Sequence, residues 1–210
     1  MKNILKFVLA ICLMFAVTNM QAQIKFGPKV GLNLSTMTLK SGGVSYDPKT
    51  VVGFNVGVVS EITLSDNLSL QPAVLYSTKG SKYSITFLQV AEEYEITPSF
   101  IEIPVNVVYK FDLGAAKLFL NAGPYVAYGI GGKIKGGGVS DNIIFGTKES
   151  DDIKPLDFGL NVGAGVEIAN LLISANYGLG LANLSPTTTD NTEMKIKVIG
   201  FSVAYLFGGK

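Results

Sequence analysis

"DFGLNVGAGVEIANLLISANYGLGL", residues 157–181, separates into two lists when it is read by alternate residues. Phe158, Leu160, Val162, Ala164, Val166 and Ile168 form one list, and Asp157, Gly159, Asn161, Gly163, Gly165 and Glu167 form the other. After Ala169-Asn170 the alternation resumes, with Leu171, Ile173, Ala175, Tyr177, Leu179 and Leu181 set against Leu172, Ser174, Asn176, Gly178 and Gly180. A period of two over this length predicts a β-hairpin with one apolar face and one face of glycine, amide and carboxylate. A soluble sheet buries its apolar face against a packed core. Glycine, amide and charge opposite that face pose the question of which side is the interior.

The same period recurs along the chain. Residues 24–35 set Ile24, Phe26, Val30, Leu32 and Leu34 against Lys25, Gly27, Lys29, Gly31, Asn33 and Ser35. Further runs fall near 51–64, 68–79, 94–111, 117–130 and 194–207, which with the opening hairpin makes eight. Each has about 11 residues or more, enough for a tilted strand to cross a bilayer. Between them, short connections (65–67, 112–116, 169–170) alternate with long ones (36–50, 80–93, 131–155, 182–193). Outer-membrane barrels have this arrangement, with tight periplasmic turns and longer external loops.

The fold expected is therefore an all-β, eight-stranded, antiparallel up-and-down transmembrane β-barrel. Its apolar faces look at lipid and its polar faces into a narrow lumen, and closure removes the unpaired strand edges that lipid does not tolerate. The rival is a soluble ligand-binding barrel of the lipocalin kind. That reading turns every strand inside out and leaves a weakly charged exterior, and the chain has no Trp for the lipocalin Gly-x-Trp signature.

Composition narrows the chemistry. The 210 residues include 24 Gly and no His, and all 17 basic residues are lysine. Without His the commonest general base and metal ligand are missing. Without Arg, and with a net charge of +1, there is little to grip nucleic acid. Lys2 and Lys6 precede an apolar run, Phe7–Val17, of signal-peptide length and too short to span a membrane as a helix. Cleavage is expected after Ala22 of "NMQAQ", with Met20 standing where a small residue is usual; a buried helix or an uncleaved anchor is the other reading. The expected organisation is a signal peptide over 1–22 and a barrel domain over 23–210. Cys12 is the only cysteine, so the processed chain would carry neither disulfide nor thiol chemistry. Removing Lys2 and Lys6 leaves 15 lysines against 16 acids.

The fragments "FGPKVGLNLS", "FIEIPVNVVYKF", "NAGPYVAYGI", "DFGLNVGAGVEI" with "NYGLGLANLS", and "IGFSVAYLF" resemble the outer-membrane β-barrel family of Bacteroidetes, which includes the PorT-like proteins. The likeness runs over about residues 24–207. It implies an eight-stranded barrel in the outer membrane, and for the PorT branch an association with secretion across that membrane. Phe207 resembles the terminal aromatic read by the barrel-assembly machinery, although Gly208-Gly209-Lys210 follow it.

Among the inward positions, Lys25, Lys29, Glu61, Lys110 and Glu167 are expected toward the periplasmic end of the lumen, Glu102 near mid-height and Asp157 above it. Such charges form either an ion path or a set of neutralising pairs, and a narrow lumen favours pairs because an unpaired charge there is costly. Lys25, Lys29 and Glu61 are expected to neutralise one another, with Lys110 and Glu167 completing the network. "GGKIKGGG" (131–138) lacks the ending and the strand-to-helix setting of a phosphate loop and reads as an external loop. Asp151 and Asp152 in "KESDDIK" could hold a cation but read as a solvated loop tip. Tyr76, Tyr109, Tyr128, Tyr177, Tyr205 and Phe207 are expected in aromatic girdles. Neither cofactor nor catalytic residue is expected. The function expected is structural, or binding of an extracellular partner through the external loops. The alternative is a narrow pore or an accessory of a secretion system.

Overall fold

The computed structural model describes residues 24–46, 48–87, 90–187 and 191–208. The expected signal peptide and its cleavage point lie outside them. Twelve strands form one antiparallel sheet: β1 (Ile24–Ser41), β2 (Val44–Tyr46), β3 (Lys49–Thr63), β4 (Leu68–Thr78), β5 (Ser81–Phe87), β6 (Val90–Asp112), β7 (Lys117–Gly136), β8 (Val139–Asn142), β9 (Leu156–Ile168), β10 (Leu171–Gly180), β11 (Glu193–Tyr205) and β12 (Phe207–Gly208). Eight of them, β1, β3, β4, β6, β7, β9, β10 and β11, close into a ring, because β1 pairs with β3 on one side and β11 on the other. The expected eight-stranded antiparallel barrel is present.

Side-chain exposure follows the alternation. Along β9, Phe158, Leu160 and Val162 are exposed while Asp157, Gly159 and Glu167 are buried. Leu32, Phe54, Val74, Ile103, Leu120, Ile173 and Phe201 continue the outer apolar surface around the ring. Toward the short-turn end, Tyr109 packs on Phe111 and Tyr205 on Phe207, with ring centroids 4.9 and 4.8 Å apart. Toward the other end Tyr76 meets Phe54 at 5.7 Å, and Tyr128 and Tyr177 are exposed. Two aromatic belts thus bracket the apolar surface, as lipid interfaces favour.

The long connections are not plain loops. Strands β1, β6 and β7 run well past the apolar belt, and β2, β5 and β8 pair with these extensions. Gly42-Gly43 and Gly137-Gly138 make the two-residue tips, with φ of 57° and 79° in each pair. Positive φ at both central residues is the geometry whose twist matches flanking strands. The segment "GGKIKGGG" is therefore the end of β7 and a hairpin tip, which corrects its reading as a loop. At the opposite end the turns at 64–67, 113–116 and 169–170 are short, and both ends of the described chain lie beside them.

A charge on the outer face tests the assignment of faces. Val162→Lys should cost roughly 2–4 kcal/mol near the bilayer midplane, whereas Val162→Leu should stay within about 0.5 kcal/mol. Unfolding by urea in lipid vesicles measures both. Equal stability of the two variants would place Val162 away from lipid.

Candidate functional site

The lumen is filled in tiers. At the short-turn end the Lys110 ammonium lies 2.6 Å from Glu61 Oε1 and 2.6 Å from Glu167 Oε2. Gln71 donates from Nε2 to Glu61 Oε2 at 2.7 Å. Lys25 approaches Glu167 Oε1 more loosely, at 3.8 Å, from a more exposed position. These side chains meet because β1, β3, β6 and β9 each turn the polar half of their alternation inward.

Against this cluster packs an apolar layer made of Val59, Ala73, Leu75, Val108, Phe119, Leu172, Ala204 and Leu206. A wholly polar lumen, as the strand pattern suggests, is thus corrected. The reason is volume. A Cβ placed on Gly165 would lie 2.4 Å from Phe119 Cζ, so the glycine on β9 leaves the space that the β7 ring fills.

Above this layer asparagine, serine and lysine line a cavity of about 60 Å³ bordered by Lys29, Asn33, Asn55, Asn106, Asn161 and Asn176. Asn55 donates from Nδ2 to Asn33 Oδ1 at 2.8 Å, and Asn33 donates to Ser77 Oγ and to the Thr78 carbonyl, each at 3.0 Å. The cavity is polar and has room for a few waters, the two conditions for internal hydration. Lys29 stands here and not with Glu61. Its register partner on β3 is Gly57, and it has no ion pair within 4 Å among the described residues. The expected mutual neutralisation of Lys25, Lys29 and Glu61 is corrected accordingly: Glu61 is taken by Lys110, and Lys25 turns to Glu167.

A second cluster lies toward the long-loop end. Lys79 Nζ is 2.5 Å from Glu102 Oε2 and 3.9 Å from Asp157 Oδ2. Tyr125 donates its hydroxyl to Asp157 Oδ2 at 3.1 Å. The same ammonium lies 4.6 Å from the Tyr125 ring centroid and 5.6 Å from that of Phe100, so two ring faces share its charge. Lys79 was absent from the candidate residues. The signal was its parity, since it continues the inward series Gln71, Ala73, Leu75 and Ser77. The two clusters and Lys29 together carry four lysines and four carboxylates, so the ionised set is neutral.

The long-loop mouth is closed by Met37, Phe100, Ile143, Ile153, Ala182, Leu184 and Ile196. Ile143 and Ile153 belong to the connection after β8, and Leu184 to the one after β10, so external segments fold back into the barrel. Asp151 Oδ2 accepts from the Lys148 amide at 2.7 Å and Asp152 Oδ2 from the Ile144 amide at 2.8 Å. Both carboxylates thereby hold the connection that carries the plug. No group of three or more metal-ligating side chains occurs among the described residues.

On the projecting sheet, Lys49 pairs with Glu93 at 2.6 Å and Lys82 with Glu95 at 3.0 Å. The hydrogen bond from each lysine holds its carboxyl below the usual glutamate range.

A closed antiparallel ring of eight strands, apolar outside and charged within, defines a small transmembrane β-barrel. The chain belongs to the outer membrane protein beta-barrel domain family, whose model matches residues 18–185. It is a protein of the outer membrane. Among solved structures it is similar to Neisserial surface protein A, with 16% identity, 86% of this chain and 97% of that chain covered, and a TM-score of 0.43. It is also similar to the outer membrane protein W of E. coli (13% identity, 90% and 100% covered, TM-score 0.42). A third similar structure is Ail, the attachment invasion locus protein of Yersinia pestis (14% identity, 90% and 100% covered, TM-score 0.40). No curated protein matches.

Proposed function

We propose that the protein is a closed, non-enzymatic barrel that anchors its projecting sheet at the cell surface for a protein partner. The observation that carries this reading is the lumen, obstructed in succession by the Glu61–Lys110–Glu167 cluster, the Phe119 layer, the Lys79 cluster and the Ile153–Leu184 plug. Charge pairs and apolar layers together narrow the path a solute would need. A chain without His, and without Cys after Cys12, also lacks the usual activated nucleophiles. The extensions of β6 and β7 with β5 and β8 supply a paired, charged surface beyond the lipid.

We further propose that the chain is processed after Ala22 and is a PorT-like protein of Bacteroidetes type, whose partner belongs to a secretion system. The fragments quoted above support that relationship. Purified protein in planar bilayers should be electrically silent over long recordings; steady, reproducible conductance would replace the closed barrel with a pore. Cross-linking in native membranes should join the partner to residues 133–142, and a cross-link pattern unchanged by deleting that hairpin tip would remove it as the docking surface.

A further inference from the structure

We propose that the seam between β1 and β11 carries a binding site for the phosphate of an anionic lipid headgroup in the outer leaflet. The proposal is independent of whether the lumen conducts. On β11 the lipid-facing series Tyr205, Val203, Phe201 and Ile199 continues with Lys197 and Lys195. On β1 the series Val30, Leu32 and Leu34 continues with Thr36, Thr38 and Lys40. The register sets Thr36 beside Lys197, Thr38 beside Lys195 and Lys40 beside Glu193. Three lysines and two hydroxyls therefore form one outward patch directly beyond the last lipid-facing apolar residues of both strands.

Glu193 offsets part of this charge through Lys195, at 3.2 Å. Lys40 and Lys197 have no ion pair within 4 Å among the described residues and are exposed. Position selects the occupant. Lys197 lies between Thr36 and Leu179 on the neighbouring strands, so its stem starts at the edge of the apolar surface and its head reaches the headgroup level, as lysines at membrane interfaces do. The strands that flank the seam carry exposed apolar residues nearby, Val52 on β3 and Leu181 just after β10. On the projecting sheet Lys82 and Lys49 instead face carboxylates, Glu95 and Glu93. A phosphate monoester held at the surface by its acyl chains fits the remaining charge and the hydroxyl donors.

The test uses full-length processed protein in nanodiscs of phosphatidylcholine containing a minority of phosphatidic acid. Bound lipid is read by native mass spectrometry after transfer to a neutral detergent. Wild type should retain phosphatidic acid, and the K40Q/K195Q/K197Q variant should retain about tenfold less. The K40R/K195R/K197R variant should restore retention, and K133Q/K135Q/K148Q, with the same loss of charge, should leave it unchanged. Excess inorganic phosphate should not displace the lipid. Equal retention by wild type and the K40Q/K195Q/K197Q variant would overturn the proposal, as would an equal loss in the control triple. Displacement by inorganic phosphate would do so too, by showing a site for soluble phosphate. Heat-modified gel migration checks that each variant is folded, and K197Q alone gives the same comparison should the triple fail to fold.

Discussion

Lys110→Met is expected to destabilise the protein by about 3–5 kcal/mol, among the largest effects of any single substitution. Among the described residues Lys110 is the one cation within 3 Å of both Glu61 and Glu167. Glu61 is 1% exposed, so its carboxylate has no route to bulk water once the ammonium is gone. Methionine keeps the length of the side chain and its packing, which confines the loss to the charge. Glu167 retains Lys25 at 3.8 Å, whereas Glu61 retains the amide of Gln71 and, among the described residues, no other ammonium within 4 Å. Glu61 therefore bears most of the penalty. Lys25→Met should cost far less, since its contact is long and its side chain half-buried. Urea unfolding in lipid vesicles gives each value, and a Lys110→Met cost no greater than that of Lys25→Met would dissolve the proposed hierarchy.

Lys79→Met is the second large expectation, again about 3–5 kcal/mol. Asp157 is 0% exposed and Glu102 9%, and Lys79 is the only ammonium within 4 Å of either among the described residues. The substitution leaves Glu102 at the wall of the Asn-lined cavity and Asp157 buried with the Tyr125 hydroxyl donating to it. Lys79→Met combined with Glu102→Gln should recover part of the loss, because one of the orphaned charges disappears. Recovery separates an electrostatic cost from a packing defect against Phe100 and Tyr125. If the double variant were as unstable as the sum of the two singles, the 2.5 Å contact would carry no coupling.

Much of the barrel could be read from single residues. Leu160–Asn161–Val162 already states which way each side chain points, because a period of two has only two phases. Loop lengths separate a short-turn end from a long-loop end, and the structure keeps that division. The projecting sheet was less legible: Gly42-Gly43 and Gly137-Gly138 are hairpin signals, yet the apolar residues beside them, Leu39, Val44, Ile134 and Val139, are too few for a sustained alternation. Lys79 was hidden for a related reason. Ser77, Thr78, Lys79 and Gly80 are all buried, so the alternation stops where β4 leaves the wall, and "STKG" reads as a turn.

Pairing inside the lumen was legible only in part. Parity placed Glu61, Lys110 and Glu167 on the inner face, but which lysine meets which carboxylate depends on the stagger of neighbouring strands. Lys25, directly opposite Glu61 in register, does not pair with it, while Lys110, two strands farther round the ring, reaches across. The apolar plugs were missed because Phe119, Val108 and Leu172 share the inward phase with polar residues. Only the volume left by Gly165 and its neighbours shows why large side chains belong there.

Cross-lumen ion pairs that close the barrel should show as coupling in a double-mutant cycle on Glu61 and Lys110. Glu61→Gln, Lys110→Met and the combination are unfolded in lipid vesicles of one composition, at one pH and salt concentration. The expected coupling energy is at least about 1 kcal/mol, with the double variant more stable than the sum of the singles allows. Additivity within about 0.3 kcal/mol would rule out such pairing, because two buried side chains joined at 2.6 Å cannot act independently.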